Sequence, residues 1–172
     1  HETAILDLLR QLQQRSSGGQ ASSRPFDLAQ LQRDLGDDTA LVEYFWLEER
    51  ALAFVVTGAA LHVVELPGRS DTVAAALDQF HFQLGALRHA GSHLQRHLPA
   101  LIQRTQRPLA ALYDLLLRPL MPLVGERRLV VAPHGLLHYV PFHALYDGAR
   151  YVLEAREVRS EERRVGKECR SR

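Results

Sequence analysis

Between residues 40 and 66 the apolar positions come in three short runs, ALVEYFWL, ALAFVV and LHVVEL, separated by EER and TGAA. The runs are rich in β-branched and aromatic residues, and the breaks are turn-sized, which predicts a three-strand antiparallel meander. In the third run Leu61, Val63 and Glu65 alternate with His62, Val64 and Leu66. Neither face of that strand is cleanly polar, so cover on both sides is expected. On either flank of the meander the period lengthens to that of a helix. Ile5, Leu8, Leu9 and Leu12 make one stripe within residues 3–15. Leu28, Leu31 and Leu35 mark a short helix, stopped by Gly36 and the acidic pair Asp37 and Asp38.

After the meander, PGRSD places Ser70 as the N-cap of the next helix. Val73, Leu77, Phe80, Leu84 and Leu87 continue into Leu94, Leu98 and Leu101 at helical spacing. The pattern predicts a long amphipathic helix or a helical hairpin, interrupted near Gly91 or Pro99. A second helix is predicted to begin at Pro108, since proline suits a first helical position, and to run through LAALYDLLL to Pro119. RPLMPLVGERR then leads into a buried strand, LVVAP, at residues 129–133. YDGARYVLEAREV predicts an Asp-Gly turn and a further strand. There are no internal repeats.

Composition narrows the class. With 172 residues, 46% hydrophobic and 24% charged, the chain is of ordinary globular make-up, with material for one sizeable core. No apolar run approaches the roughly 20 residues of a membrane helix. HETAILDLLRQLQQR has no secretory-signal pattern. A cytoplasmic protein with no membrane partner is expected. SSGGQASSRP, residues 16–25, has linker composition, so residues 16–26 separate a first helix (1–15) from the rest. That helix reads as the end of an upstream helical-repeat domain.

Charge adds little until the last dozen residues are set aside. EERRVGKECRSR holds five Lys/Arg and three Glu; the rest of the chain has 16 Lys/Arg against 17 Asp/Glu. No basic stripe with interleaved aromatics occurs, so no nucleic-acid partner is expected. Residues 161–172 read as a non-native or disordered tail that holds the only cysteine, Cys169. One cysteine cannot form an internal disulfide or a thiolate-rich zinc site. Between Glu168 and Arg170, with no patterned structure around it, Cys169 is a poor nucleophile.

The chemistry-bearing candidates are histidines. In VVAPHGLLHYVPFHAL, His134 and His138 stand four apart, as the two ligands do in H-E-x-x-H, but Gly135 occupies the place of the general base. The stretch follows a strand and contains Pro141, so no regular helix would align the rings. A loop leaving a central strand is the expectation, with Tyr139, Phe142 and Leu145 packed down and the histidines at the surface. His81, His89, His93 and His97 drift around their helix by about 40° per step and converge on no site. No G-x-S-x-G elbow, P-loop or dinucleotide fingerprint occurs. Ser92 and His93 are only sequence neighbours, and the carboxylate pairs Asp37–Asp38 and Glu48–Glu49 look like turn residues. No metal site, no cofactor site and no catalytic constellation is assigned.

The order of elements resembles the CHAT domain family, caspase-like modules often found with tetratricopeptide repeats. Residues 38–67, residues 112–154 and the helices between carry the likeness, which spans roughly 35–158; LHYVPFHAL with its preceding strand is the most specific part. The resemblance implies an α/β fold: part of a caspase-like α/β/α sandwich, with an N-terminal antiparallel meander, long helices and the first core strand over residues 27–160. It implies a cysteine peptidase using a His–Cys dyad, in which an imidazole-activated thiolate attacks a peptide carbonyl. The family places both dyad residues after later strands, and neither motif occurs here. His134 precedes a glycine but matches the family's non-catalytic lead-in. No catalytic residue is therefore carried over, and the chain as given is expected to be inactive. Protein or peptide partners would be recruited through an upstream repeat region. The alternative is a non-catalytic interaction scaffold. In either case a sheet edge and one sheet face are expected to lie open, leaving the chain prone to aggregate. High Leu, Ala and Arg usage fits a bacterial source, and the oligomeric state is left open.

Overall fold

The computed structural model describes residues 27–48, 50–89 and 94–160, with backbone only for 86–89 and 94–98. The expectations for residues 1–26 and 161–172, Cys169 included, lie outside these, as do the side chains of His89, His93 and His97. In chain order the elements are α1 (Leu28–Leu35), β1 (Thr39–Leu47), β2 (Arg50–Val56), β3 (Leu61–Arg69), α2 (Ser70–His89) and α3 (Leu94–Leu116). There follow α4 (Met121–Val124), β4 (Arg128–Ala132), α5 (Val152–Ala155) and β5 (Val158–Ser160). The strands form one mixed sheet in the order β3-β2-β1-β4-β5. This is the α/β class read from the sequence.

The predicted meander is present: β1 pairs antiparallel with β2, and β2 with β3. Leu47 faces Arg50, so two residues make the first turn, and Glu48 there adopts φ 56°. A left-handed conformation costs most side-chain-bearing residues about 1–2 kcal/mol, whereas asparagine tolerates it. Glu48→Asn is expected to stabilise the fold by about 0.5–1 kcal/mol. The check is the urea midpoint at unchanged slope; an unchanged or lowered midpoint contradicts the strain.

Strands β1, β4 and β5 are parallel. Each parallel step moves the same way across the sheet, from β1 to β4 to β5. Crossovers of the usual right hand then place both connections over the same face. The core agrees. Ala40, Val42 and Tyr44 of β1, Ala51, Ala53 and Val55 of β2, Leu66 of β3, and Leu129 and Val131 of β4 all share one face and belong to one cluster. Val73, Ala76, Leu77 and Phe80 of α2 and Leu109, Leu112, Leu116 and Leu117 from α3 onward close over it. Tyr44 Oη donates to the carbonyl of Leu116 at 3.1 Å, so the buried hydroxyl costs no unpaired donor.

Helix boundaries differ from expectation in two places, and the stretch containing Gly91, between the end of α2 at His89 and the start of α3 at Leu94, lies outside the described residues. Pro108 does not start a helix: it lies inside α3, as does Pro99. A proline in a helix interior costs roughly 3 kcal/mol. The leucine stripe on its C-terminal side, all buried against the sheet, supplies more than that through burial of about 1.5–3 kcal/mol per side chain. Ser70 is the first helical residue instead of the cap before it, and the Asp71 carboxylate accepts from the Thr72 amide.

Among the described strands, β3 forms one edge of the sheet. His62 and Glu65 are exposed and only Leu66 and Gly68 are buried, so the cover expected on both faces is partial. In the C-terminal stretch, Asp147 makes the predicted turn, but residues 152–155 form one helical turn and the strand follows only at 158–160.

Candidate functional site

In open sheets with parallel strands, chemistry gathers at the carboxyl ends of those strands. Here that edge is formed by the end of β1, the end of β4, and residues 133–146, which leave β4. After Ala132 the backbone stays extended through His134 and then turns at Gly135 with φ 59°. That conformation selects glycine. A methyl group at Gly135 would also sit 3.6 Å from Trp46 Cδ1, an ordinary contact, so backbone conformation is the constraint.

The segment then makes two short 3-10 turns, Gly135–Tyr139 and Phe142–Ala144, separated by Pro141. The proline prevents an α-helix, as the sequence predicted. Leu137, Val140, Phe142 and Leu145 are its buried anchors. Phe142 stacks on Tyr44 at 5.4 Å, which fastens the segment to the middle of β1. Tyr139, expected to pack down, is instead 71% exposed. In the first 3-10 turn Leu137 takes the inward position, and Tyr139 points away from it.

All three histidines of the segment are exposed. His134 lies against Phe45 with ring centroids 5.0 Å apart. Among the described residues, none of the three imidazoles makes a side-chain hydrogen bond, and no three His, Cys, Asp or Glu side chains come together in a way that would hold a metal ion. The segment contains no Ser, Thr or Cys to act as nucleophile. His81 on α2 is exposed and far along the chain from this edge.

Behind the segment lies a shallow cleft of about 240 Å³, lined among others by Tyr113, Glu126, Asp147, Arg150 and Arg156. Its charges answer one another. Asp147 accepts from the amides of Ala149 and Arg150 at 2.7 and 2.8 Å, which hold its carboxyl below the usual carboxylate range. Arg156 Nη1 donates to the carbonyl of Gly125 at 2.8 Å, and Arg118 reaches the carbonyl of Asp147 at 3.3 Å while lying over the Tyr113 ring. The cleft is a brace between α3, α4 and the segment that follows β4.

Two further residues of β1 were not singled out by sequence reasoning. Glu43 stands on the face opposite the core, where burial pushes its carboxyl above the usual range, although part of the side chain remains open. Among the described residues, Trp46 Nε1 is buried without an acceptor. The signal for Glu43 was available: it is the one charge within ALVEYFWL.

Residues 106–170 match the family model of the CHAT domain. Over those residues the chain is similar to the CHAT domain. The match covers the C-terminal part of α3, α4, β4, the histidine-bearing segment, α5 and β5, and continues beyond the described residues into the stretch read as a tail. The meander and α2, which the sequence reading had included in the likeness, lie outside the matched CHAT residues. No curated protein matches the chain. Within the matched stretch, His134 follows β4, and residues 132–146 contain no thiol. No helix among the described residues is long and apolar enough to cross a membrane.

Proposed function

We propose that this chain supplies the supporting half of a caspase-like CHAT domain: the sheet and the lead-in segment against which a His–Cys dyad from later strands would work on a peptide bond. The chain itself is then inactive, needs no cofactor, and carries no catalytic residue. The observation that supports this is the coincidence of the family match with β4, the segment after it and β5, together with the absence of any Ser, Thr or Cys from residues 132–146. Parallel strands at that edge would present later loops on the same carboxyl side. Protein partners, including those brought by an upstream repeat region, belong to this proposal.

The test has two arms. A peptide library incubated with the chain is expected to stay uncleaved, and Cys169→Ser is expected to change nothing. In a protein that continues the reading frame with a histidine-glycine motif and a later cysteine after an apolar strand, cleavage is expected. It should fall at least 1,000-fold when that cysteine becomes alanine, the scale of losing a covalent nucleophile. Peptide cleavage by this chain alone overturns the proposal. A continued frame without the two motifs, and without activity, favours the interaction-scaffold reading instead. That reading draws on the exposed Tyr139 and three exposed histidines at the same edge.

A further inference from the structure

In the cleft of about 240 Å³ between α3, α4 and residues 147–156, three polar groups keep bonding capacity that the protein leaves unused. The first is Arg156. Its Nη1 donates to the carbonyls of Gly125 and Arg127 at 2.8 and 3.3 Å, but no carboxylate pairs with it among the described residues. The Nε–Nη2 edge of its guanidinium stays free, and that edge matches the two oxygens of a carboxylate. The second is Tyr113, which is 8% exposed. A buried tyrosine hydroxyl normally finds a partner, yet this one makes no hydrogen bond among the described residues. Burial raises its phenol above the usual tyrosine range, and the charges of Asp147, Arg118 and Arg156 act on it, so the hydroxyl is the end of the ring turned to the cleft. The third is Glu126, exposed at the mouth and without an ion pair among the described residues. Arg156 holds the carbonyls on either side of Glu126, so these two opposite charges stand on adjoining backbone without pairing. The remaining two charges of the lining meet each other, with Arg150 Nε 3.8 Å from Asp147 Oδ2.

We propose that this cleft binds a free α-amino acid with a small apolar side chain, its carboxylate on Arg156 and Tyr113 and its ammonium on Glu126. Charge decides the class. One unpaired cation and one unpaired anion line the cleft, so a simple anion leaves Glu126 unanswered and a simple amine leaves Arg156 unanswered. A zwitterion answers both, and each charge it brings replaces water at a group already partly desolvated. Size decides the rest. The volume is below the roughly 300 Å³ at which pockets for drug-sized ligands begin. It equals about eight water volumes, room for about eight or nine non-hydrogen atoms, the size of valine or leucine. Met121, Val152 and Ala155 give the side chain an apolar wall. None of these groups belongs to the carboxyl edge of the parallel strands, so the inference stands apart from the peptide-bond proposal.

The experiment titrates the full chain with L-valine and with L-leucine and follows its backbone amides by NMR. The expected result is a saturable shift centred on Gly125, Glu126 and Ala155, with a Kd below about 1 mM for at least one of the two. Two relatives of leucine each lack one charge: 4-methylpentanoate has no ammonium and 3-methylbutylamine no carboxylate. Each should bind at least about tenfold more weakly than leucine, the scale of one charge-assisted hydrogen bond. Tyr113→Phe and Glu126→Gln remove groups that bond to nothing among the described residues, so both variants should keep the fold, and each should weaken binding at least about fivefold. No saturable binding of either amino acid below about 1 mM overturns the proposal. So does 4-methylpentanoate binding as tightly as leucine, which would make the cleft a plain anion site, and so does unchanged affinity in either variant. The two leucine relatives need no substitution, so they decide the matter even if a variant fails to fold.

Discussion

Replacing Phe142 with alanine is expected to cost about 3–5 kcal/mol of folding stability, against a total of roughly 5–15 kcal/mol for a domain of this kind. Phe142 is 2% exposed and its ring stacks on Tyr44, which is itself buried and hydrogen-bonded to Leu116. Truncation leaves a void between β1 and the segment after β4, bounded by side chains fixed in the sheet and in α3. Those elements cannot collapse into the space without giving up their own hydrogen bonds. The void therefore adds to the lost transfer energy. Urea unfolding followed by Trp46 fluorescence measures the effect. Tyr139→Ala, three residues earlier in the chain and exposed, is the internal control and should move the midpoint by no more than about 0.5 kcal/mol. Comparable losses from the two substitutions would mean that the segment is not anchored as described. A loss under about 1 kcal/mol for Phe142→Ala would mean that it lies outside the core.

The contrast between those two aromatic residues shows what sequence could and could not reveal. Strands were legible because local chemistry and tertiary role agree: β-branched, aromatic runs broken by turn-sized gaps became β1, β2 and β3. LVVAP was legible as a buried strand for the same reason. Prolines misled where the two disagree. Pro108 is locally a helix start, but Leu109, Leu112 and Leu116 continue a stripe that the sheet rewards with burial, and α3 runs through it. Tyr139 was misplaced because a 3-10 turn has three residues per turn, which puts Leu137 inward and leaves Tyr139 outside. The carboxyl edge was legible as a location, from a strand followed by Pro-His-Gly. Glu43 escaped notice because a single charge in an apolar run gains meaning only once register shows which face it shares.

The same logic applies to Gly58, where the sequence shows only a turn glycine between two strands. A Cβ built there would stand 2.5 Å from the carbonyl oxygen of Gly36 and 3.0 Å from its carbon. Both are backbone atoms, so no side chain can swing aside. Gly36 ends α1, and Gln32 of the same helix donates to the neighbouring Thr57 carbonyl. Gly58→Ala is therefore expected to force α1 off the β2–β3 turn, with a destabilisation of about 2–3 kcal/mol, in the range of overpacked sites. Thr57, whose amide donates to the Ala60 carbonyl at 2.9 Å, should keep the turn itself closed. The damage should then concentrate in α1: amide exchange at Leu31 to Leu35 should accelerate strongly, while Val42, Val55 and Val131 change only by the global loss. Serine, of similar size, should behave as alanine does. Ordinary protection of α1 in Gly58→Ala, with a stability loss under about 0.5 kcal/mol, would mean that helix and turn do not meet backbone to backbone. In that case the end of the sheet would be free to open.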